Sequence, residues 1–107
     1  WYTLYMYPYD NKVYLYTASN IEGPWVNKGI IYTVDDKYLN KKIDGKNAFW
    51  VYAPKLHPEL VPNDSKEGDF VFSYVSNVAI SGLWDKKSHE LIKDYKKLYM
   101  PQLVYCR

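Results

Sequence analysis

The chain has 107 residues, room for one small domain, with 48% of them apolar and thirteen tyrosines. That composition predicts a folded, β-rich chain and excludes disorder, because Tyr, Trp and Val suit pleated, half-buried surfaces. A net charge of +2 with no basic stripe argues against nucleic acid as a partner, and the single cysteine, Cys106, excludes an internal disulfide and a thiolate zinc cage.

Trp1 already stands in a strand-like run, so the chain is expected to be preceded by more sequence. Nothing in it reads as a signal peptide, and no apolar run is long enough to span a bilayer. Tyr2 to Pro8 and Lys12 to Thr17 read as strands flanking Asp10-Asn11, a two-residue hairpin turn. That turn would set Tyr5 opposite Tyr16 and Tyr7 opposite Tyr14, with Met6 opposite Leu15 and Pro8 opposite Val13 on the other face. One face becomes an aromatic ladder, read as packing, and the other is aliphatic. A sheet apolar on both sides needs cover on both sides.

Gly23-Pro24 punctuates the chain, and Trp25 to Thr33 reads as a third strand. Residues 35–48 form a polar connector. Phe49 to His57 is an apolar strand in which Pro54 and Pro58 favour an edge or a bulge. Pro62 to Gly68 is a loop carrying the glycosylation sequon Asn63-Asp64-Ser65, a hint of secretion. A strong strand follows from Phe70 to Ser76. Trp84 to Lys97 fits either a short helix or an ordered loop, and Leu98 to Tyr105 closes the chain as a strand.

The halves echo each other. Tyr16 to Asn20 ends a strand and is followed by Ile21, Gly23 and Trp25; Tyr74 to Asn77 ends a strand and is followed by Ile80, Gly82 and Trp84, about 57 positions on. Repeats of roughly 40–50 residues built from meander strands mark propeller blades. The expected fold is therefore all-β: two blade-like antiparallel meanders, residues 1–34 and 49–107. Two blades cannot close a ring, so the chain is expected to be a fragment of a β-propeller.

The stretches Tyr52-Ala53-Pro54-Lys55-Leu56-His57-Pro58-Glu59-Leu60, Phe72-Ser73-Tyr74-Val75-Ser76-Asn77 and Leu98-Tyr99-Met100-Pro101-Gln102-Leu103-Val104 resemble the C-terminal part of an uncharacterised family of secreted five-bladed propellers. That family is related to glycosyl hydrolase family 43, and the run from Ser19 to Trp25 resembles a loop recurring in family 43 blades. Met100-Pro101-Gln102 departs from the pattern, which has an arginine beside the proline. The resemblance implies a secreted protein of carbohydrate-processing ancestry with an active site at the propeller axis. The implied partners are a polysaccharide or oligosaccharide and the remaining blades. The chain itself calls for no cofactor or metal; the resemblance leaves room for a calcium ion in the parent propeller.

Glycoside hydrolysis uses two carboxyl groups, about 5–5.5 Å apart for retention and about 6.5–9.5 Å for inversion. The resemblance implies that most of that set comes from blades upstream of the matched region. Glu59 is the one acid inside an apolar motif. Either it faces the axial pocket, where burial would raise its pKa and suit it to acid catalysis, or it caps a loop through backbone amides; the second role is favoured. His57 is a hydrogen-bonded core histidine or, as the resemblance implies, a residue near the substrate pocket; His89 is not spaced to share a metal with it. Asn77 and Asn20 cap turns or bind a sugar hydroxyl, with the turn role favoured. Trp25, Trp50 and Trp84 fill space between sheets or stack on sugar rings, with core packing favoured. Three functions compete: a propeller fragment that hydrolyses or binds polysaccharide, a non-catalytic carbohydrate- or surface-binding module, and a structural remnant.

Overall fold

The computed structural model describes residues 1–7, 10–35, 42–43, 46–47, 49–78 and 99–107. Two three-stranded antiparallel meanders dominate. The first orders β1 (Tyr2–Tyr5), β2 (Lys12–Thr17) and β3 (Val26–Thr33), and the second orders β6 (Phe49–Leu56), β7 (Phe70–Val78) and β8 (Gln102–Cys106). Between them a two-stranded hairpin pairs β4 (Lys42–Ile43) with β5 (Lys46–Asn47). A single 3-10 turn, Pro58–Leu60, follows β6, and no α-helix occurs among the described residues. The architecture is all-β and blade-like.

The first hairpin keeps the expected division of faces in a different register. Tyr5 pairs with Tyr14 and Thr3 with Tyr16, two residues from the pairing expected for an Asp10-Asn11 turn. Hydrogen bonds at the turn explain the displacement. The Asp10 amide donates to the Tyr7 carbonyl (3.0 Å). Asp10 then accepts from the Asn11 amide (2.8 Å) and the Tyr14 hydroxyl (3.1 Å), which fixes the start of the return strand. A two-residue shift leaves every side chain on its own face, because strand side chains alternate with period two. Pro8, expected opposite Val13, lies outside the described residues.

The aliphatic face of the first sheet is the buried one. Leu4, Met6 and Val13 pack with Val51, Phe72 and Tyr74 of the second sheet, and Val34, just beyond β3, completes the cluster. Among the described residues, β1 and β6 share the most extensive contact of any two strands on different sheets. The edge strands are irregular. β3 carries two bulges against β2, one accommodated at Gly29 (φ 107°), whose amide donates to the Asn27 side chain at 2.7 Å. β6 is an edge strand of the second sheet, with its register broken between Tyr52 and Lys55, where Ala53 takes φ 54° ahead of Pro54. Pro54 thus sits at a bulge on an edge, where its missing N–H does no harm.

Several boundaries differ from expectation, among them the end of β1, at Tyr5 instead of Pro8. The last strand starts at Gln102 instead of Leu98: the Tyr99 amide still donates to the Ser76 carbonyl (3.0 Å), but Tyr99 has φ 58° and Pro101 cannot donate, so the regular ladder begins after both. β7 runs to Val78, which puts Asn77 within the ladder opposite Trp50, while Asn20 lies in the turn after β2 with its carbonyl accepting from Gly23 at 2.9 Å. The two asparagines are therefore not equivalent. Much of the 35–48 connector, the echoed Ile80, Gly82 and Trp84, and the whole segment Trp84 to Lys97 with His89 lie outside the described residues.

Candidate functional site

The outward face of the first sheet carries the aromatic ladder. Thr3 and Tyr5 from β1, Tyr7 just beyond it, Tyr16 from β2 and Trp25 from the β2–β3 turn line an open groove of about 350 Å³. Tyr5 and Tyr7 meet edge to face, with centroids 5.0 Å apart and planes at 82°; Tyr7 and Tyr14 do likewise at 5.2 Å and 84°. These rings hold one another, yet their outer sides stay open: Tyr5 is 45% exposed and Tyr7 42%. The ladder was expected to be packing, and among the described residues nothing covers its outer side.

Polar atoms cross the groove. The Tyr7 and Tyr16 hydroxyls share a hydrogen bond of 2.8 Å, and the Asn27 side-chain amide donates to the Tyr16 hydroxyl at 3.3 Å. The Trp25 indole N–H is taken up by the Ile21 carbonyl at 3.2 Å, so the tryptophan offers the groove its ring and not its donor. Trp25 is held there by local backbone geometry. Gly23 has φ 96°, and a Cβ on it would stand 3.1 Å from both Trp25 Cδ1 and the Trp25 amide nitrogen. Contact with Tyr16 raises the pKa of Tyr7, and burial with the Asp10 contact raises that of Tyr14. Both phenols stay neutral donors near pH 7. No residue lining the groove carries a charge.

The other expected site residues gather on the second sheet. Trp50 and Asn77 are cross-strand partners, and Trp50 stacks on Tyr52 with centroids 4.8 Å apart and planes at 24°. Further along the same face of β7, Ser73 Oγ lies 2.8 Å from His57 Nε2, while His57 Nδ1 lies 2.8 Å from Glu59 Oε1. The His57 amide also donates to the Val71 carbonyl at 2.8 Å. The imidazole thus ties the 3-10 turn to the middle strand as a hydrogen-bonded, largely buried histidine.

Glu59 does not sit where a raised pKa would arise. Its side chain is 61% exposed on the solvent side of the 3-10 turn, since Pro58 opens that turn and directs the carboxylate outward. The His57 ring and the residue's own backbone amide stabilise the carboxylate and hold its pKa below the usual range. Of the two roles weighed for Glu59, its contacts describe the favoured one, an ionised carboxylate anchored to the loop by His57 and its own backbone amide. Among the described residues no three His, Cys, Asp or Glu side chains gather as metal ligands.

Of the residues singled out from sequence, then, the structure joins Trp50 to Asn77 and His57 to Glu59 on one sheet, and leaves Trp25 on the other. The groove residues Thr3, Tyr5, Tyr7 and Tyr16 were missed as binding candidates. Alternation put three of them on a single aromatic face, but which face stays open is a long-range outcome. Ser73 was also missed, although a serine between Phe72 and Tyr74 signals a side chain turned from the core.

Fold and groove together define an all-β, blade-like protein with an aromatic surface cleft. The chain belongs to the family described as a domain of unknown function, DUF5005, whose model matches residues 1–98. Neither a curated protein nor a solved structure matches it.

Proposed function

We propose that this chain is a non-catalytic carbohydrate-binding part of a secreted propeller of the glycosyl hydrolase family 43 type, and that it binds polysaccharide in the groove of Tyr5, Tyr7, Tyr16 and Trp25. The observation carrying this reading is the groove itself: open, uncharged, walled by aromatic rings and crossed by phenolic hydroxyls. Sugar rings present apolar C–H faces and hydroxyl edges, and such a surface answers both. The resemblance of the HPEL and SYVSN stretches to family 43 relatives adds the sugar chemistry. Hydrolysis has less support, because Glu59 is exposed, ionised and engaged by His57.

Calorimetric titration of the chain with xylan- and arabinan-derived oligosaccharides tests the reading. Binding is expected, weakened about fivefold or more by Tyr5→Ala or Trp25→Ala, since one aromatic contact contributes about 1 kcal/mol. No heat from any oligosaccharide would sink it.

A second reading is that the outward faces meet further blades. Ile30 is 51% exposed on the first sheet and Leu103 62% on the second, while β1 and β6 lie together as the first strands of neighbouring blades do. Under that reading the chain self-associates in sedimentation analysis and ignores sugars.

A further inference from the structure

The hydrogen bonds across the groove have a direction. Asn27 Oδ1 accepts from the Gly29 amide at 2.7 Å, which turns the Asn27 NH2 group toward Tyr16 and settles the amide orientation. The Tyr16 oxygen therefore receives a hydrogen from Asn27. With its oxygen already accepting, Tyr16 is best satisfied by donating its own hydrogen to Tyr7, 2.8 Å away. Tyr7 is then left with a hydroxyl hydrogen to donate outward. The Trp25 indole N–H is already committed to the Ile21 carbonyl.

We infer that Asn27, Tyr16 and Tyr7 form a one-way hydrogen-bond relay that makes Tyr7 the polar anchor of the groove, donating to an acceptor oxygen of a neutral glycan. This deepens the carbohydrate reading and rests on it. The ligand class follows from the lining: aromatic faces and hydroxyls accommodate an uncharged sugar, whereas a uronate carboxylate would meet the electron-rich ring faces with no cation to balance it. Tyr7 sets specificity by contact, and Asn27 is a positioning residue acting through Tyr16.

The test is calorimetric titration of the full chain with xylohexaose and arabinohexaose, with an oligogalacturonide of equal length as the anionic probe. Tyr7→Phe is expected to weaken neutral-sugar binding about tenfold, the loss of one well-made hydrogen bond. Asn27→Asp is the sharper variant. Its Oδ1 still accepts from Gly29, but its second oxygen accepts from Tyr16, so the relay reverses and the Tyr7 hydrogen turns inward. It should weaken binding about as much as Tyr7→Phe with the fold unchanged by circular dichroism, and the double variant should be no worse than either single one. If Trp25→Ala weakens binding while Tyr7→Phe and Asn27→Asp bind within twofold of the parent, the relay is overturned and the groove stands. Equal binding of the oligogalacturonide overturns the neutral-ligand assignment. No binding of any probe by the parent chain overturns relay and groove together.

Discussion

Tyr32 on β3 and Phe72 on β7 meet edge to face across the two sheets, their ring centroids 5.5 Å apart and their planes at 73°. Phe72 is fully buried and also lies 6.3 Å from Phe70, so one side chain joins the middle of the second sheet to the outer strand of the first. The two sheets share their core through such contacts, and the opposite face of the first sheet stays open.

Removing that side chain should be costly. Phe72→Ala is expected to lower unfolding stability by about 3–5 kcal/mol, through lost burial and a cavity that strands cannot collapse to fill. Urea denaturation followed by circular dichroism measures it. Tyr5→Ala, on the exposed face, should cost far less; equal losses would mean that the core is misassigned.

Gly23 and Gly68 make a matched pair. Both have positive φ, 96° and 94°, so alanine is strained by roughly 1–3 kcal/mol at either. Only at Gly23 does the added Cβ crowd Trp25; at Gly68 nothing lies within 4 Å. Gly23→Ala should therefore reduce oligosaccharide binding, whereas Gly68→Ala reduces stability alone. Titrations of the two variants at one temperature compare them directly.

Asp69 and Tyr105 make stability depend on pH at both ends. The Asp69 carboxylate accepts from the Lys66 amide (2.9 Å) and the Tyr105 hydroxyl (2.7 Å), and these bonds lower its pKa on folding. A lowered carboxyl pKa contributes stability above its ordinary value of 3.8, lost as pH falls through the folded value. The same bond raises the pKa of Tyr105, so its contribution is present below pH 10 and lost as pH rises through the folded value. Asp69→Asn should flatten the acid limb of a melting-temperature profile. Tyr105→Phe should flatten the alkaline limb. A profile unchanged by both would refute the coupling.

His57 and Glu59 should separate structure from binding. Glu59→Gln, altering an exposed carboxylate on the second sheet, is expected to leave oligosaccharide affinity unchanged. His57→Ala removes partners from both Ser73 and Glu59 and should destabilise by about 1–3 kcal/mol, since Ser73 is buried. Loss of sugar binding in Glu59→Gln would move the site to the second sheet.

Much of this protein can be read from its residues in order. Alternation of Tyr5, Tyr7, Tyr14 and Tyr16 with Leu4, Met6, Val13 and Leu15 separates an aromatic from an aliphatic face, and that separation survives the two-residue change of register because side chains repeat every two positions. Pro54 likewise announces its bulge, since a residue without an N–H cannot sit inside a ladder. Alternation tells which side chains share a face, but not which face is covered. That depends on contacts between residues far apart in sequence, such as Leu4 and Val13 with Val51 and Phe72, and these close the aliphatic side while leaving the tyrosines open. The meeting of His57 with Ser73 is likewise decided only when β6 and β7 come together, whereas the Tyr7–Asp10 and His57–Glu59 hydrogen bonds are local ones that alternation does not reveal.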